Sequence, residues 1–230
     1  MNFRKKNIVA KLLILVSVTL VIVSCSTKKN NFVNRKYHNT TAKYNGYFNG
    51  NESLKAGIKK LEENHKDDFS EIIPVFKTGD LAKNQTIHPY MNKAIEKGSI
   101  VIQRHSMNIR GKEHNKWIDD NYFMIGKSYF YKGEFDEAIK TFNYIKETYK
   151  RNPLKYDAAL WLARCFSEKE DYVAAEMELD QLQTDRKFPE KLDDELAVIL
   201  ADFYLKQENY ILALDELNTA IKLIKKRKIH

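Results

Sequence analysis

The sequence predicts an all-α fold, a solenoid of antiparallel helix pairs, on three observations. A six-residue block recurs as Gly133-Glu134-Phe135-Asp136-Glu137-Ala138, Glu170-Asp171-Tyr172-Val173-Ala174-Ala175 and Glu208-Asn209-Tyr210-Ile211-Leu212-Ala213, at spacings of 37 and 38 residues. Each block closes one stretch of helical apolar periodicity and opens another. Helix follows helix throughout, and no stretch reads as a strand.

Two helices per repeat at this period is the tetratricopeptide (TPR) layout. It asks for large or small apolar residues at repeat positions 4, 7, 8, 11, 20, 24 and 27. The first repeat supplies Tyr122, Ile125, Gly126, Tyr129, Ala138, Phe142 and Ile145. The second supplies Ala159, Leu162, Ala163, Phe166, Ala175, Leu179 and Leu182, and the third Ala197, Leu200, Ala201, Tyr204, Ala213, Leu217 and Ala220. Small residues at positions 8 and 20 let the two helices approach, and the aromatic at 11 fills the space between them. The residues beyond the usual repeat length fall in turns, near Asn152-Pro153 and Asp185 to Pro189.

Read from the start, residues 1–24 form a lipoprotein signal peptide. Arg4, Lys5, Lys6 and Lys11 precede an apolar run from Leu12 to Val23, too short for the ~20 residues that span a bilayer. Ile22-Val23-Ser24-Cys25 then reads as a lipobox, which makes Cys25 the lipidation site. Two or more acyl chains hold a protein to a membrane where one binds marginally. No cofactor is expected apart from this covalent lipid.

Residues 25–36 carry the lipidated Cys25 and a polar, basic linker. Residues 37–111 read as an N-terminal helical region. Asn49-Gly50-Asn51 signals a turn, leading into a helix with Leu54, Ile58 and Leu61. Thr41 to Asn64 weakly echoes the repeat, a degenerate helical pair with Phe48 in the place of Tyr129 and Leu61 in that of Phe142. Asp67 to Lys77 is ambiguous, and Thr78 to Pro89 reads as a loop. Tyr90 to Met107 is helical, with Met91, Ile95, Ile102 and Met107 inward. Three TPR repeats occupy residues 112–225, and 226–230 form a basic tail. The last helix keeps an apolar face (Leu214, Leu217, Ile221, Ile224) with no polar cap after it, although solenoids need one. A covering partner or a shortened chain is the expectation.

The formal charge of +8 does not imply nucleic acid. Four positive charges lie in the signal, and five more from Lys222 onward (Lys222, Lys225, Lys226, Arg227, Lys228), so the body is near neutral. A nucleic-acid binder concentrates charge on its folded face. Once Cys25 is acylated, Cys165 is the only thiol, and it reads as a small core hydrophobe.

No catalytic constellation stands out. Gly126-Lys127-Ser128 resembles the end of a phosphate-binding loop, but Asn121 replaces the required glycine and the triplet lies inside a helix. The six histidines lack metal-ligand spacing. The chain reads as neither an enzyme nor a binder of small-molecule substrates.

Binding is expected on the concave face, lined by the first helix of each repeat. The candidates are Asp120, Phe123, Lys127, Phe130 and Tyr131, then Asp157, Leu160, Arg164 and Glu168, then Val198, Asp202 and Leu205. Asp120, Asp157 and Asp202 would repel a peptide carboxylate, so the expected partner is a folded or extended protein surface.

Four strings carry a family resemblance: Cys25-Ser26-Thr27-Lys28; Tyr37 to Gly50 (Tyr-His-Asn-Thr-Thr-Ala-Lys-Tyr-Asn-Gly-Tyr-Phe-Asn-Gly); Gln103-Arg104-His105-Ser106-Met107; and Asn115-Lys116-Trp117-Ile118-Asp119-Asp120. Together they resemble the TPR lipoproteins of the Bacteroidota type IX secretion and gliding-motility machinery, the PorW/SprE family, as a short or truncated member. The resemblance implies a non-enzymatic scaffold, lipid-anchored in the outer membrane and facing the periplasm, with other proteins of a secretion complex as partners. Two alternatives stay open: an outer-membrane-protein assembly lipoprotein resembling BamD, and a glycan-binding lipoprotein resembling SusD.

Overall fold

The structure, a computed structural model, describes residues 26–78 and 85–229. The signal peptide, Cys25 and residues 79–84 of the expected loop lie outside the described residues. The fold is an all-α TPR solenoid.

Helix α1 (Phe32–Thr41) runs through a π-helical turn (Ala42–Tyr47) into α2 (Phe48–Asn64) without leaving helical backbone geometry. Helix α3 spans His88–His105. The three repeats are α4 (Ile118–Tyr131) with α5 (Phe135–Thr148), α6 (Leu154–Glu168) with α7 (Tyr172–Thr184), and α8 (Asp193–Lys206) with α9 (Tyr210–Ile229).

The three repeat turns are built alike, and backbone chemistry explains the recurring block. Gly133, Glu170 and Glu208 are left-handed, with φ of 74°, 60° and 60°. The next residue in each case, Glu134, Asp171 or Asn209, donates its N–H back to the carbonyl of Tyr129, Phe166 or Tyr204 at 3.0, 3.0 and 2.9 Å. This is the Schellman closure, which satisfies carbonyls left open at a helix C-terminus. Asp171 then caps α7, its side chain accepting the Ala174 N–H.

Within a repeat, small meets large. A Cβ on Gly126 would stand 2.6 Å from Cε1 of Phe142, so α4 and α5 approach only because position 126 has no side chain. Phe142, Ile145, Ala138 and Cys165 are fully buried in one core cluster with Trp161 near its centre. Tyr156, Leu160, Leu179, Leu182, Leu196 and Phe203 continue the core into the second and third repeats. Lys146 of α5 and Glu178 of α7 tie neighbouring second helices at 2.6 Å.

The N-terminal region departs from the sequence reading in several places. The linker expected over 25–36 is shorter, because α1 begins at Phe32. Asn31 caps it, accepting the Asn34 N–H at 2.8 Å, and buried Asn34 donates to the carbonyls of Ser26 and Lys29. Asn49-Gly50-Asn51 is helix interior and not a turn. Gly50 packs against Met124 (a Cβ would lie 2.6 Å from its Cε), and this tertiary contact overrides the local turn preference. Thr41 to Asn64 is therefore no helical pair; Phe48 is exposed, and the actual pair is α2 with α3.

The expected loop to Pro89 ends early, in a 3-10 turn at Gln85–Ile87. Pro89 sits in the first turn of α3, where its missing N–H costs nothing. The buried line of α3 is Met91, Ala94, Gly98 and Val101, with Ile95 and Ile102 half-buried. Small residues on this line allow close packing: a Cβ on Gly46 of the π turn would stand 1.8 Å from Val101 Cγ2.

A short hairpin follows that the sequence reading lacked. β1 (Asn108–Ile109) pairs antiparallel with β2 (Lys112–Glu113), turning through Arg110 and Gly111 at φ 54° and 76°. Two positive φ values at the turn are what a tight hairpin asks for. The Glu113 carboxylate accepts N–H groups of Met107, His114 and Asn115 at 2.8–2.9 Å, fastening the hairpin onto the end of α3.

Candidate functional site

The wall formed by α4, α6 and α8 is where the repeats place the expected partner-facing residues, and it is more dehydrated than a solvated surface. Trp161 of α6 stands in its middle. The ring lies 5.1 Å from Phe130, 5.9 Å from Tyr131 and 6.3 Å from Phe123, centroid to centroid. Two cations flank it: Lys127 Nζ is 4.7 Å from the Trp161 centroid and the Arg164 guanidinium carbon 4.3 Å. Desolvated cation–π contacts of this kind are worth about 2 kcal/mol each.

Arg164 is the most constrained group. It is 5% exposed, stacks on Phe130 at 4.7 Å and on Phe76 at 3.9 Å, and its Nε has no hydrogen-bond partner among the described residues. Phe76 comes from the irregular segment between α2 and α3 and packs on the core of the second and third repeats. The chain thus lays one of its own aromatic side chains across the middle of the wall.

Of the residues expected on the concave face, Asp120, Phe123, Lys127, Asp157, Glu168, Val198 and Leu205 are half-buried at the wall. The remaining five need correction as contact residues. Phe130 and Leu160 are 0% exposed and belong to the core. Tyr131, Arg164 and Asp202 are buried: Arg164 beneath Phe76, Tyr131 beside Arg164, Asp202 in an ion pair. The helical register alone placed them facing inward; Trp161 and Phe76 take up that space. Neither of those two, nor Glu195, was singled out in the sequence. Pro74 followed by Val75-Phe76 is the signal for an extended aromatic-bearing segment that could have revealed the covering contact.

The charges respond to this dehydration. Burial, then Asp119 and Asp157, raises the Asp120 carboxyl to about 6. Burial also raises Asp157, and raises Glu195 with help from Asp157. Lys127 is lowered by burial and by Arg164. At the far end burial pulls Lys206 down, but Asp202 and Glu168 outweigh it, and its pKa is raised. Lys206 Nζ bonds them at 2.8 and 2.9 Å. Both signs of charge, held partly out of water beside aromatic rings, suit recognition of a polar protein surface.

Cys165 is fully buried and its thiol is pushed up to about 12, which removes it as a nucleophile. Among the described residues no group of His, Cys, Asp or Glu could hold a metal ion, and no helix is long and apolar enough to cross a membrane.

A second grouping gathers three of the four strings that carried the family resemblance. His38 Nδ1 lies 2.9 Å from His105 Nδ1. Asn115 Nδ2 donates to the carbonyl of His105 at 2.8 Å and of His38 at 3.3 Å. The Lys116 N–H donates to Asn39 Oδ1 at 2.8 Å. Tyr47 stacks on Trp117 at 5.2 Å, and Lys43 lies 5.1 Å from the same ring. The N-terminal helix, the end of α3 and the approach to α4 form one polar and aromatic joint that fixes the α1–α2 helix to the first repeat.

Comparison with known proteins supports the repeat assignment. The family model of the tetratricopeptide repeat matches residues 120–151, which covers α4 from its third residue, α5 and the turn that follows. No curated protein matches the chain. The match spans one of the three helix pairs, and the other two repeat its turn chemistry and its small-against-large packing.

Proposed function

We propose that this chain is a protein–protein interaction scaffold, tethered to the outer membrane through an acylated Cys25 and facing the periplasm. On this reading it works in type IX secretion and gliding motility, as a member of the PorW/SprE family. The observation that carries the scaffold role is the α4–α6–α8 wall, where half-buried Asp120, Asp157 and Glu195 share one face with Lys127 and with the Trp161 ring that Lys127 flanks. TPR folds are non-enzymatic as a rule, and their repeats mediate protein contacts.

Two features support the finer placement. Ile22-Val23-Ser24-Cys25 has the residue types of an acylation site. Three of the four family-specific strings meet at the joint of His38, His105, Asn115 and Trp117, so that part of the resemblance follows a structural unit. Phe76 covers the middle of the wall, which leaves the α8 side (Val198, Leu205) and the start of α4 (Asp120, Phe123) as the surfaces for a partner.

The test has two arms. Labelled palmitate should enter the wild-type chain and not the Cys25→Ser variant. Affinity purification from detergent-solubilised envelopes should then recover secretion-machine components. Recovery of a β-barrel insertase instead would favour the assembly-lipoprotein reading, and unlabelled protein would remove the tether.

A further inference from the structure

The continuous helix formed by α1, the π turn and α2 has an outward face that none of the other described residues covers. From Asn34 to Gly50 its buried residues fall every fourth position: Asn34, His38, Ala42, Gly46 and Gly50. A straight α-helix would drift off a four-residue spacing. The π turn, with its i→i+5 bonding, takes up the extra residue and keeps the line straight. Two residues away, about 200° round the helix, runs a second line: Phe32, Lys36, Thr40, Tyr44 and Phe48. All five are exposed, with Phe32 at 70%, Tyr44 at 57% and Phe48 at 56%. Val33 and Tyr37 widen it on one side and are exposed too.

We propose that this outward face is an interfacial membrane-binding surface that lies flat on an anionic lipid bilayer. Charge decides between lipid and protein. Between Ser26 and Asn51 the chain carries Lys28, Lys29, Arg35, Lys36 and Lys43 and no acidic residue; the first carboxylate is Glu52. A single sign of charge interleaved with exposed tyrosine and phenylalanine matches headgroup phosphates above acyl chains. The concave wall, which carries both signs, contrasts with it. The helix is too polar to span a bilayer, so it lies on the surface. The proposal does not require acylation; if Cys25 is acylated, Phe32 follows it by only seven residues, and the two contacts reinforce each other.

The test uses the chain from residue 26 onward, which keeps every described residue and carries no acyl group. Flotation with phosphatidylglycerol–phosphatidylethanolamine vesicles at low salt should give partitioning at least about tenfold above that with phosphatidylcholine, and salt should weaken it. Tyr44→Ser with Phe48→Ser, and separately Lys28→Glu with Lys36→Glu, should each lower it at least about fivefold with the helical circular dichroism unchanged. As an independent check, an environment-sensitive dye on Phe48→Cys should shift to the blue on anionic vesicles, while the same dye on Lys140→Cys of α5 should not. Equal partitioning onto neutral vesicles, undiminished binding by the variants, or an unshifted dye at position 48 overturns the proposal. So does a dimer that forms without vesicles and is abolished by Tyr44→Ser with Phe48→Ser when anionic vesicles bind nothing, which would assign the face to a second copy of the chain.

Discussion

His38 and His105 face each other Nδ1 to Nδ1 at 2.9 Å, with Tyr37 packed edge-on against His38 at 5.0 Å. One imidazole must donate and the other accept, so the contact tolerates at most one extra proton. Burial, then His38 and Arg104, lowers the His105 pKa below its ordinary 6.5. The unfolded chain then binds more protons than the folded one at and below that value, and stability rises with pH there. The joint is at full strength above about pH 6.5 and weakens as pH falls through it. Thermal unfolding followed from pH 8 to pH 5 should show Tm falling below pH 6.5, and His105→Gln should flatten the slope. An unchanged slope in that variant would remove His105 as its source.

Gly126 and Phe142 test the packing of a repeat. Gly126→Ala puts a methyl group 2.6 Å from the Phe142 ring and should cost about 1–3 kcal/mol by overpacking. Phe142→Leu added to it should give back part of that loss, because the two share one space. A double-mutant cycle in denaturant would show coupling of at least ~0.5 kcal/mol; additive losses would mean that the helices do not meet there.

The left-handed turn positions invite the opposite change. Glu170 and Glu208 hold φ of 60° where Gly133 stands in the first repeat. Left-handed geometry costs a non-glycine residue roughly 1–2 kcal/mol. Glu170→Gly and Glu208→Gly should therefore each stabilise the chain by about 1 kcal/mol, read as a higher denaturation midpoint with the same slope.

Asp120 carries a cost at neutral pH. Its carboxyl is held near 6 by burial, Asp119 and Asp157, above the ordinary 3.8. A raised carboxylate favours folding at low pH and loses that advantage as pH rises through the folded value. Asp120→Asn should gain on the order of 1 kcal/mol over wild type at pH 7.5, after discounting for its partial exposure, and the gain should shrink toward pH 4. A gain independent of pH would assign it to packing.

The repeats were legible because their chemistry is local. Small residues at Gly126, Ala163 and Ala201, aromatics at Tyr129, Phe166 and Tyr204, and the turn residues after them report on neighbours within one repeat. The N-terminal region was less legible because its neighbours are distant. Gly50 signals a turn by its sequence, yet Met124 of the first repeat makes it a helical contact. Arg110-Gly111 turns a hairpin only two residues deep on each strand, too short for alternation to register. At the wall, helical register placed the inward positions, but Phe76 and Trp161 decided which of them stay open, and Phe76 arrives from an irregular segment with no periodicity.

The central claim is that the α4–α6–α8 wall is the surface that meets other proteins. A photo-cross-linking residue placed singly at Phe123, Val198 or Leu205, and for comparison at Lys140 or Glu176 on the second helices, tests it in the cells that make the protein. Adducts to partner proteins should form from the three wall positions and not from the two outer ones. Adducts confined to Lys140 and Glu176, or none from the wall, would contradict the account.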